Sequence, residues 1–550
     1  MKPIFSMQDQ FLPPSNMIQR ARQGSNVTRV QSLSCSSFGL KVIALAVAVP
    51  TLVGQVVQAA PLPDGTLQAV SSQRIDADEG GFPGDFLDNG DRFGRAVITI
   101  GDLDLDGVLD LVIGARSDDD GGIDAGAVYI VFMNADMTVK STSKISATTG
   151  GLGAGVLDAG DFFGYSLATP GDLNNDGIQD LTVGAPNDDD GNVNSGALYN
   201  LFLERTGAVQ GFQKISNTSG NLTAGNQGAP LDAGDNFGQS AGAIGDYNND
   251  GFLDVAIGAP GAIGGGNDPG AVWLLSVEED GVVASATQID ASELPAGTLR
   301  NGDGFGGRSV ANIGDLDGDG RDELAVGAYL DDDGGSDRGA FYTLFFNDDL
   351  TVRDVQKVSS LEGGLEAEIS DGDLFGMTVA PLGDIDGDGI PDIAVGSNRD
   401  DDGGTDRGAL YFFLLNSDGT IKAESKVSST DLFGFDAVDL DDGGRFGRAL
   451  GFVGDLIGDC SQVLAVGGGA GAGTNGGAVW LLKYEVANAG FQTCECPADL
   501  NGDNQLNVFD VFTYIDAYNA GDQAADLDGV PGLNIFDVFE FLSLFDAGCP

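Results

Sequence analysis

The sequence DLDLDGVLD occupies residues 102–110 and runs directly into the apolar stretch LVIGA at residues 111–115. The same phrase, an acidic loop followed by an apolar stretch, begins again about every seventy residues, at Asp172, Asp246, Asp315, Asp384 and Asp455. Oxygen-bearing side chains at alternate positions around a Gly turn suit a hard cation such as calcium. A fixed period of this length indicates a repeat architecture, which restricts both the fold and the class of function.

Three further landmarks recur in the chain and predict its strands. A short strand, Lys-Ile-Ser or a variant of it, recurs at residues 74–76, 144–146, 214–216, 288–290, 357–359 and 426–428. A Phe-Gly turn recurs at residues 93–94, 163–164, 237–238, 305–306, 375–376 and 446–447. A final strand beginning with Gly-Ala recurs at residues 126–129, 196–199, 270–273, 339–342, 408–411 and 477–480. Short β-branched and aromatic strands between Gly, Asp and Asn turns are typical of all-β proteins.

About four strands in each unit predict one blade of a β-propeller. Six phrases then predict six blades over about residues 66–490, with seven as the alternative if a degenerate blade lies in a long connection. The last unit lacks its own Lys-Ile-Ser strand, whereas the copy at residues 74–76 is unpaired. If that N-terminal copy supplies the outer strand of the last blade, the ring closes without a bare strand edge. The predicted fold class is all-β, a β-propeller with a small α-helical C-terminal domain.

The charge of the chain excludes several classes of function. Its 550 residues include 26 basic and 84 acidic side chains and no histidine, so the formal charge is −58. Such a chain repels nucleic acid and anionic lipid. The lack of histidine excludes Ser-His and Cys-His nucleophile pairs and removes the usual transition-metal ligand.

Residues 1–60 predict an export signal. This region is basic, with Asp9 as its only acid, and residues 42–53 form an apolar run. The run is followed by small residues at Ala59 and Ala60, which suit signal peptidase. A single membrane anchor is the alternative, but the run is short for a span of about 20 residues. We therefore expect an extracellular or cell-surface protein without membrane insertion after signal removal, translated from Met1 or Met17.

The Phe-Gly turns and the Gly-Ala-Pro sequences at residues 184–186 and 258–260 resemble FG-GAP repeats. Such repeats form the propeller of integrin α subunits and of bacterial relatives, and the resemblance covers about 420 residues. It implies that the acidic loops bind calcium on one face and that the propeller binds a ligand or partner. The repeats are longer than is usual for integrins, so the blade number does not transfer.

The acidic loops offer side-chain oxygens at positions 1, 3, 5 and 9, the calcium pattern, with a backbone carbonyl for position 7. The predicted ligands are Asp102, Asp104, Asp106 and Asp110 in loop one, Asp172, Asn174, Asp176 and Asp180 in loop two, Asp246, Asn248, Asp250 and Asp254 in loop three, Asp315, Asp317, Asp319 and Glu323 in loop four, and Asp384, Asp386, Asp388 and Asp392 in loop five. Loop six fails, because Ile457, Cys460 and Val463 replace the residues at positions 3, 6 and 9.

The alternative is that Asp, Asn and Gly only form tight turns in these loops. Five concordant loops favour calcium, because unpaired carboxylates this close together repel one another strongly. A second acidic pattern, Asp-Asp-Asp-Gly, precedes the final strand at residues 118–121, 188–191, 331–334 and 400–403. These Asp-Asp-Asp-Gly loops could bind further calcium or a partner, but a solvated hairpin loop is the simpler interpretation.

From residue 493 the chain carries a duplicated unit, an acidic loop followed by an apolar helix, with helices predicted over residues 511–518 and 538–545. Over about 55 residues it resembles a bacterial dockerin bracketed by Cys-Pro and Gly-Cys. The oxygen-bearing positions, taken as calcium ligands, are Asp499, Asn501, Asp503, Asn507, Asp510, Asp526, Asp528, Asn534 and Asp537. The second loop is weaker, because Val530 stands where an acid is expected. The resemblance implies docking onto a cohesin-like or other surface receptor.

Four cysteines follow the signal region, Cys460, Cys494, Cys496 and Cys549. An even number in an exported chain suggests disulfides, with three possible pairings. A zinc site is the weaker alternative, because the four are scattered and no histidine joins them. The dockerin resemblance implies that Cys496 and Cys549 join the two ends of that module, which would leave Cys460 to Cys494.

These features predict a signal peptide at residues 1–60, an FG-GAP propeller at 61–492 and a dockerin-like calcium-binding domain at 493–550. The leading hypothesis is a secreted or cell-surface calcium-binding adhesion or assembly protein, whose propeller binds an unknown protein or glycan. A carbohydrate-binding lectin is the second hypothesis, and a polysaccharide-degrading enzyme is the third. An enzyme is disfavoured because the Asp residues mostly belong to repeating loops, with no unique carboxylate pair. Trp273 and Trp480 occupy equivalent strand positions, so we expect them in the core rather than in a sugar platform.

Overall fold

The structure is a computed structural model, and it describes residues 60–61, 67–222, 230–247, 252–261, 269–347, 349–432, 434–435, 440–459, 461–469 and 476–486, with isolated positions at 511, 514, 515, 518 and 538. Several predictions from the sequence fall outside this part of the chain. They concern the signal up to Ala59, loop-three residues Asn248 and Asp250, all the cysteines, and the predicted calcium ligands of the dockerin-like domain.

The chain begins with two strands that join sheets formed much later in the sequence, β1 (Ala60–Pro61) and β2 (Leu67–Ile75), followed by a 3-10 helix at Gly84–Phe86. Blade one contains β3 (Phe93–Gly101), β4 (Asp110–Ala115), β5 (Ala127–Met133) and β6 (Val139–Ile145). Blade two contains β7 (Ser166–Gly171), β8 (Asp180–Ala185), β9 (Ala197–Leu203) and β10 (Val209–Ile215). Blade three contains β11 (Ser240–Gly245), β12 (Asp254–Ala259), β13 (Ala271–Val277) and β14 (Val283–Ile289).

The later blades repeat this order. Blade four contains β15 (Phe305–Gly314), β16 (Glu323–Ala328), β17 (Ala340–Phe346) and β18 (Val352–Ser359). Blade five contains β19 (Phe375–Gly383), β20 (Asp392–Ser397), β21 (Ala409–Leu415) and β22 (Ile421–Val427), and β1 adds to β22 in parallel. Blade six contains β23 (Ala449–Gly454), β24 (Gln462–Gly468) and β25 (Ala478–Val486), and β2 completes it.

The four strands of each blade form an antiparallel sheet, and they follow one another in the chain except in blade six. There β2 pairs with β25, with Ile75 opposite Val479 and Arg74 opposite Trp480. The N-terminal strand therefore closes the ring, as the unpaired landmark at residues 74–76 predicts. The first strands of neighbouring blades contact one another around the ring, so they line its axis.

Six hydrophobic cores hold the blades together, one between each neighbouring pair. Five join consecutive blades, and the sixth joins blade six to blade one through residues that include Val463, Leu481, Val97 and Ile113. Because the last blade packs on the first, the ring contains six blades and the seven-blade alternative is wrong. The second and third strands of a blade are buried on both faces, which explains why stretches such as LVIGA are continuously apolar.

The Phe-Gly and Gly-Ala landmarks meet between blades. The glycine that begins a Gly-Ala strand bridges to the Phe of the next blade in the pairs Gly126–Phe163, Gly196–Phe237, Gly339–Phe375, Gly408–Phe446 and Gly477–Phe93. At Gly126 the backbone has φ 91°, and an added Cβ would lie 2.1 Å from the carbonyl oxygen of Phe163. Only glycine accommodates both the left-handed conformation and this close approach. The landmarks therefore recur because they form the contact between blades.

The predicted C-terminal helices are represented by Val511, Tyr514, Ile515, Tyr518 and Val538, each of which is α-helical. The tyrosine rings of residues 514 and 518 lie 6.0 Å apart between centroids, one helical turn from each other. Among the described residues, no helix combines the length and the apolar character that a membrane crossing requires.

Candidate metal centres

The acidic loops connect the first and second strands of each blade, so they share one end of the propeller, opposite the Phe-Gly turns. In loop one, the Asp102 carboxylate accepts hydrogen bonds from the backbone amides of Asp106, at 3.0 Å, and Gly107, at 2.8 Å. The first aspartate makes the equivalent pair of bonds in loops two, four and five. These bonds curl the loop around the carboxylate of its first aspartate.

The carboxylate at position 9 comes from the first residue of the second strand and is buried. Asp110 accepts amide hydrogen bonds from Leu103 in its own loop and from Met133 at the end of β5, both at 3.0 Å. Asp180 and Asp392 accept the corresponding two bonds in blades two and five. Burial raises the pKa of Asp110 and Asp180 to about 6, and that of Glu323 and Asp392 to about 7. A divalent cation beside these groups would favour their charged form.

Three of the five predicted sites bring acidic oxygens from positions 1, 3 and 9 to within 4.8 Å of one another. The groups are Asp102, Asp104 and Asp110, then Asp315, Asp317 and Glu323, and then Asp384, Asp386 and Asp392. Oxygens bound to one calcium ion at 2.3–2.6 Å lie no more than about 5 Å apart, so these residues fit the ion. The predicted position-5 ligands, Asp106, Asp319 and Asp388, are not part of these three groups.

Loops two, three and six are outside the three groups of converging acidic oxygens. In loop two, Asn174 occupies position 3, and its amide nitrogen donates to Asp176 at 3.1 Å. In loop three, Asp254 accepts the amide of Tyr247 at 3.0 Å, but the predicted ligands Asn248 and Asp250 lie outside the described residues. In loop six, Ile457 packs against the core between blades six and one, and Val463 is fully buried.

Basic side chains approach the same carboxylates from β6, β18 and β22. Lys140 contacts Asp104 and Asp106 at 2.6 and 2.5 Å, and Lys422 contacts Asp386 and Asp388, both at 2.5 Å. Arg353 makes the equivalent pair of contacts with Asp317 and Asp319. Each cation bridges positions 3 and 5 and offsets part of the charge that the loop concentrates.

The Asp-Asp-Asp-Gly loops are not the freely solvated hairpins that the sequence suggests. In blade one, Asp118 is buried, accepts a hydrogen bond from the Tyr129 hydroxyl at 2.9 Å and pairs with Lys144 at 2.8 Å. Lys144 also pairs with Asp120 at 2.7 Å. The same network of aspartates, lysine and tyrosine recurs in blades two, four and five. These ion pairs and hydrogen bonds join each Asp-Asp-Asp-Gly loop to the third and outer strands of its blade.

The sequence contains a pattern that could have predicted this network, because the tyrosine, the lysine and the Asp-Asp-Asp-Gly loop occur in the same four blades. In blades three and six the tyrosine is replaced by Trp273 or Trp480, and the lysine by Gln288 or Arg74. Neither of these blades contains an Asp-Asp-Asp-Gly sequence. Trp273 and Trp480 are 2% and 1% exposed, so both lie in the core as predicted and cannot form a sugar platform.

Known proteins match this chain in its repeats. The family model described as "FG-GAP repeat" matches residues 163–201, 237–275, 306–344 and 375–413, which lie in blades two to five. Integrin alpha-4 of Xenopus laevis is 34% identical over 190 residues, which are 32% of this chain and 15% of that protein. Integrin alpha pat-2 of Caenorhabditis briggsae is 32% identical over 252 residues, 44% of this chain and 18% of that protein. The chain thus spans less than a fifth of the length of these two relatives.

Among solved structures, a member of the duf4221 family from Bacteroides vulgatus aligns with 77% of this chain and 98% of its own. Its sequence identity is 12% and its TM-score is 0.37, too low to support an argument about fold or function. The architecture follows instead from the six sheets, and the repeat type from the matched residues and the integrin α relatives. Together they support an FG-GAP β-propeller.

Proposed function

We propose that this chain is a secreted or cell-surface protein whose calcium-loaded propeller presents an interaction surface for adhesion or assembly. The observation that carries the proposal is the convergence of acidic oxygens at one end of a six-bladed ring built from FG-GAP repeats. Similarity to integrin α chains supports an interaction role. The C-terminal segment would anchor the protein to a cohesin-like or other surface receptor.

Calcium would serve the structure of the propeller in this proposal. Positions 1, 3, 5 and 9 of loops one to five would hold the ion, with loop four contributing Glu323 at position 9. The ion would link the end of the first strand to the start of the second, because positions 1 and 9 stand at those two ends. Ions that bind only the folded state stabilise it in proportion to the logarithm of their concentration.

Calorimetry of the full chain tests the calcium part of the proposal. We expect a chelator to lower the Tm markedly and calcium to restore it. The double variant Asp384→Ala and Asp388→Ala should lose part of the calcium-dependent rise in Tm, because it removes two carboxylate groups from loop five. Asp418→Asn is the matched control, because Asp418 is an exposed hairpin residue outside the acidic loops. Identical melting with calcium and with chelator would contradict a structural role of calcium.

Anchoring is tested separately by comparing the full chain with a variant that ends at residue 492. The full chain should be retained on the surface of cells that carry its receptor, in a calcium-dependent manner, whereas the shortened variant should wash off. Equal retention of the two proteins would contradict anchoring through the C-terminal segment. Calcium-dependent binding to glycans by the shortened variant would instead favour the lectin hypothesis.

A further inference from the structure

The axis of this acidic propeller carries a group of basic side chains that the calcium sites do not involve. Arg95 and Arg448 directly follow the Phe-Gly turns of blades one and six, and Arg308 lies two residues after that of blade four. Arg116 directly follows the Gly-Ala sequence at the end of β4. These four residues, here named the arginine cluster, lie at the end of the propeller opposite the acidic loops, because the first strand of a blade begins, and the second strand ends, at that end.

Three members of the arginine cluster surround one aromatic ring. The Cζ atom of Arg95 lies 3.9 Å from the centroid of the Tyr165 ring, and the Cζ atoms of Arg116 and Arg308 lie 5.2 Å from it. Arg308 also lies 5.2 Å from the ring of Tyr329. Stacking on tyrosine orients each guanidinium group, but it neutralises none of the charge.

The arginine cluster lacks the carboxylates that pair with basic residues elsewhere in the described ring. Arg95 is 3% exposed, and its Nε and Nη2 atoms are buried without a hydrogen-bond partner. The Nε atoms of Arg116 and Arg308 are also buried and unpaired. By contrast, Arg338 on the same end of the propeller pairs with Asp371 at 2.7 Å.

The pKa values agree with an uncompensated concentration of positive charge. Burial lowers the pKa of the Arg95 and Arg116 guanidinium groups to about 9, and that of Arg308 to about 10. Burial also lowers the pKa of Arg448 well below its ordinary value, and the charges of Arg95 and Arg116 lower it further. Several like charges held together out of water are costly unless a counter-ion joins them.

Two members of the arginine cluster, Arg95 and Arg308, line a cavity of about 80 Å³ at the axis. Tyr165, Gln239 and serine, threonine and aliphatic residues of the first strands complete the lining. A cavity of roughly 10–15 Å³ holds one water molecule, so this cavity has room for a small polyatomic ion. Guanidinium groups present planar, paired donors that match the oxygens of carboxylates, phosphates and sulfates.

We propose that the arginine cluster binds a small oxyanion in the axial cavity of the propeller. The anion supplies the countercharge that the described carboxylates do not, and its oxygens accept hydrogen bonds from the unpaired donors of Arg95 and Arg308. It ties together blades one and four, which face each other across the ring. The site is independent of the calcium loops, because it lies at the other end of the first strands.

Isothermal titration calorimetry on the full, calcium-loaded chain tests this site with sodium sulfate and sodium acetate, against sodium chloride at matched ionic strength. We expect saturable binding of at least one oxyanion, and the two salts distinguish a tetrahedral ligand from a planar carboxylate. Arg95→Gln should weaken binding about tenfold or more, since it removes charge-assisted hydrogen bonds. Because sulfate stabilises proteins generally, a rise in Tm alone does not count as binding.

Arg308→Gln provides a second variant at the cavity should Arg95→Gln fail to fold, and it should weaken binding similarly. Arg338→Gln is the matched control, because it removes an arginine that pairs with a surface carboxylate. This control should bind the oxyanion as the parent does. The proposal is overturned if neither sulfate nor acetate binds saturably, or if the cavity variants bind as tightly as Arg338→Gln.

Discussion

At the residue scale, position 9 of loops one, two and five has a role that the other predicted ligands of those loops lack. Asp180 is fully buried and accepts the amides of Leu173, at 2.9 Å, and Leu203, at 3.1 Å. It therefore joins its loop to the end of β9 whether or not an ion is bound. Asp176 at position 5 is exposed and accepts only local hydrogen bonds from its own loop.

We therefore predict different effects for two alanine variants of loop two. Asp180→Ala leaves two buried amides without an acceptor and should lower the free energy of unfolding by about 2–4 kcal/mol, even in chelator. Asp176→Ala should change stability in chelator by less than about 1 kcal/mol, but reduce stabilisation by calcium. Urea unfolding with and without calcium measures both effects. Equal losses for the two variants in chelator would contradict a separate structural role for position 9.

Buried aspartates two residues before the Phe-Gly phenylalanine give a second prediction. Asp91, Asp161, Asp303 and Asp373 each accept one backbone amide at 2.7 Å, and burial raises the pKa of each to about 6. In the unfolded chain the pKa is near 3.8, so the folded protein binds more protons between about pH 4 and 6. Their contribution to stability therefore falls as the pH rises through this window and stays low above it.

Asp161→Asn should remove this penalty at one site, because asparagine keeps the acceptor oxygen but carries no charge. We expect the variant to be more stable than the parent by on the order of 1–3 kcal/mol at pH 7.5, and by much less at pH 4. Chemical unfolding at both pH values in chelator measures the difference without a contribution from calcium. A variant that is less stable than the parent at pH 7.5 would show that the charged carboxylate is needed.

At the scale of the element, the outer strand of a blade is joined to its Asp-Asp-Asp-Gly loop through one lysine. In blade two, Lys214 lies on β10 and pairs with Asp188 at 2.8 Å and with Asp190 at 3.2 Å. Tyr199 on β9 donates to the same Asp188 carboxylate at 2.9 Å. Asp188 is buried, and Lys214 is the cation beside its carboxylate.

Lys214→Met should therefore be costly, because it leaves a buried carboxylate without its cation. We predict a loss of about 3 kcal/mol in the free energy of unfolding at pH 7. Gln288→Met is the matched control, since Gln288 occupies the same strand position in blade three, which lacks an Asp-Asp-Asp-Gly sequence. The control should change stability by less than about 1 kcal/mol. Equal losses of stability in Lys214→Met and Gln288→Met would contradict the role of Lys214 as the partner of Asp188.

At the scale of the whole molecule, closure by the N-terminal strand makes blade six equivalent to the other blades. Ile75 on β2 is fully buried in the core between blades six and one. Ile145 occupies the same position on β6 and is fully buried in the core between blades one and two. Closure thus places residues more than four hundred positions apart in one sheet.

Ile75→Ala and Ile145→Ala should consequently destabilise the propeller by similar amounts. We expect each to lower the free energy of unfolding by about 2–4 kcal/mol, the cost of a large cavity in a packed core. Thermal or urea unfolding of the two variants in calcium provides the comparison. A negligible effect of Ile75→Ala beside a large effect of Ile145→Ala would show that β2 does not complete the ring.

Local spacing in the sequence was sufficient to predict the repeats, the propeller and the closing strand. Strand length, glycine turns and the spacing of the oxygen-bearing side chains depend on neighbours within a few residues, so they can be read along the chain. The positions of Asp102 and Asp384 at the start of their acidic loops are of this kind. The prediction of solvated Asp-Asp-Asp-Gly loops was wrong for their first aspartate, because its partner Lys144 lies more than twenty residues from Asp118 and burial depends on the folded blade.

The sequence by itself determined the unit of this protein, a four-stranded blade with an acidic loop, because that unit is built from local contacts. Only the tertiary structure established the number of blades, since the packing of blade six on blade one excludes a seventh. The tertiary structure also brought Arg95, Arg116 and Arg308 together around Tyr165. Residues from separate blades meet there because the ring directs the start of every first strand toward one axis, which no spacing along the chain reveals.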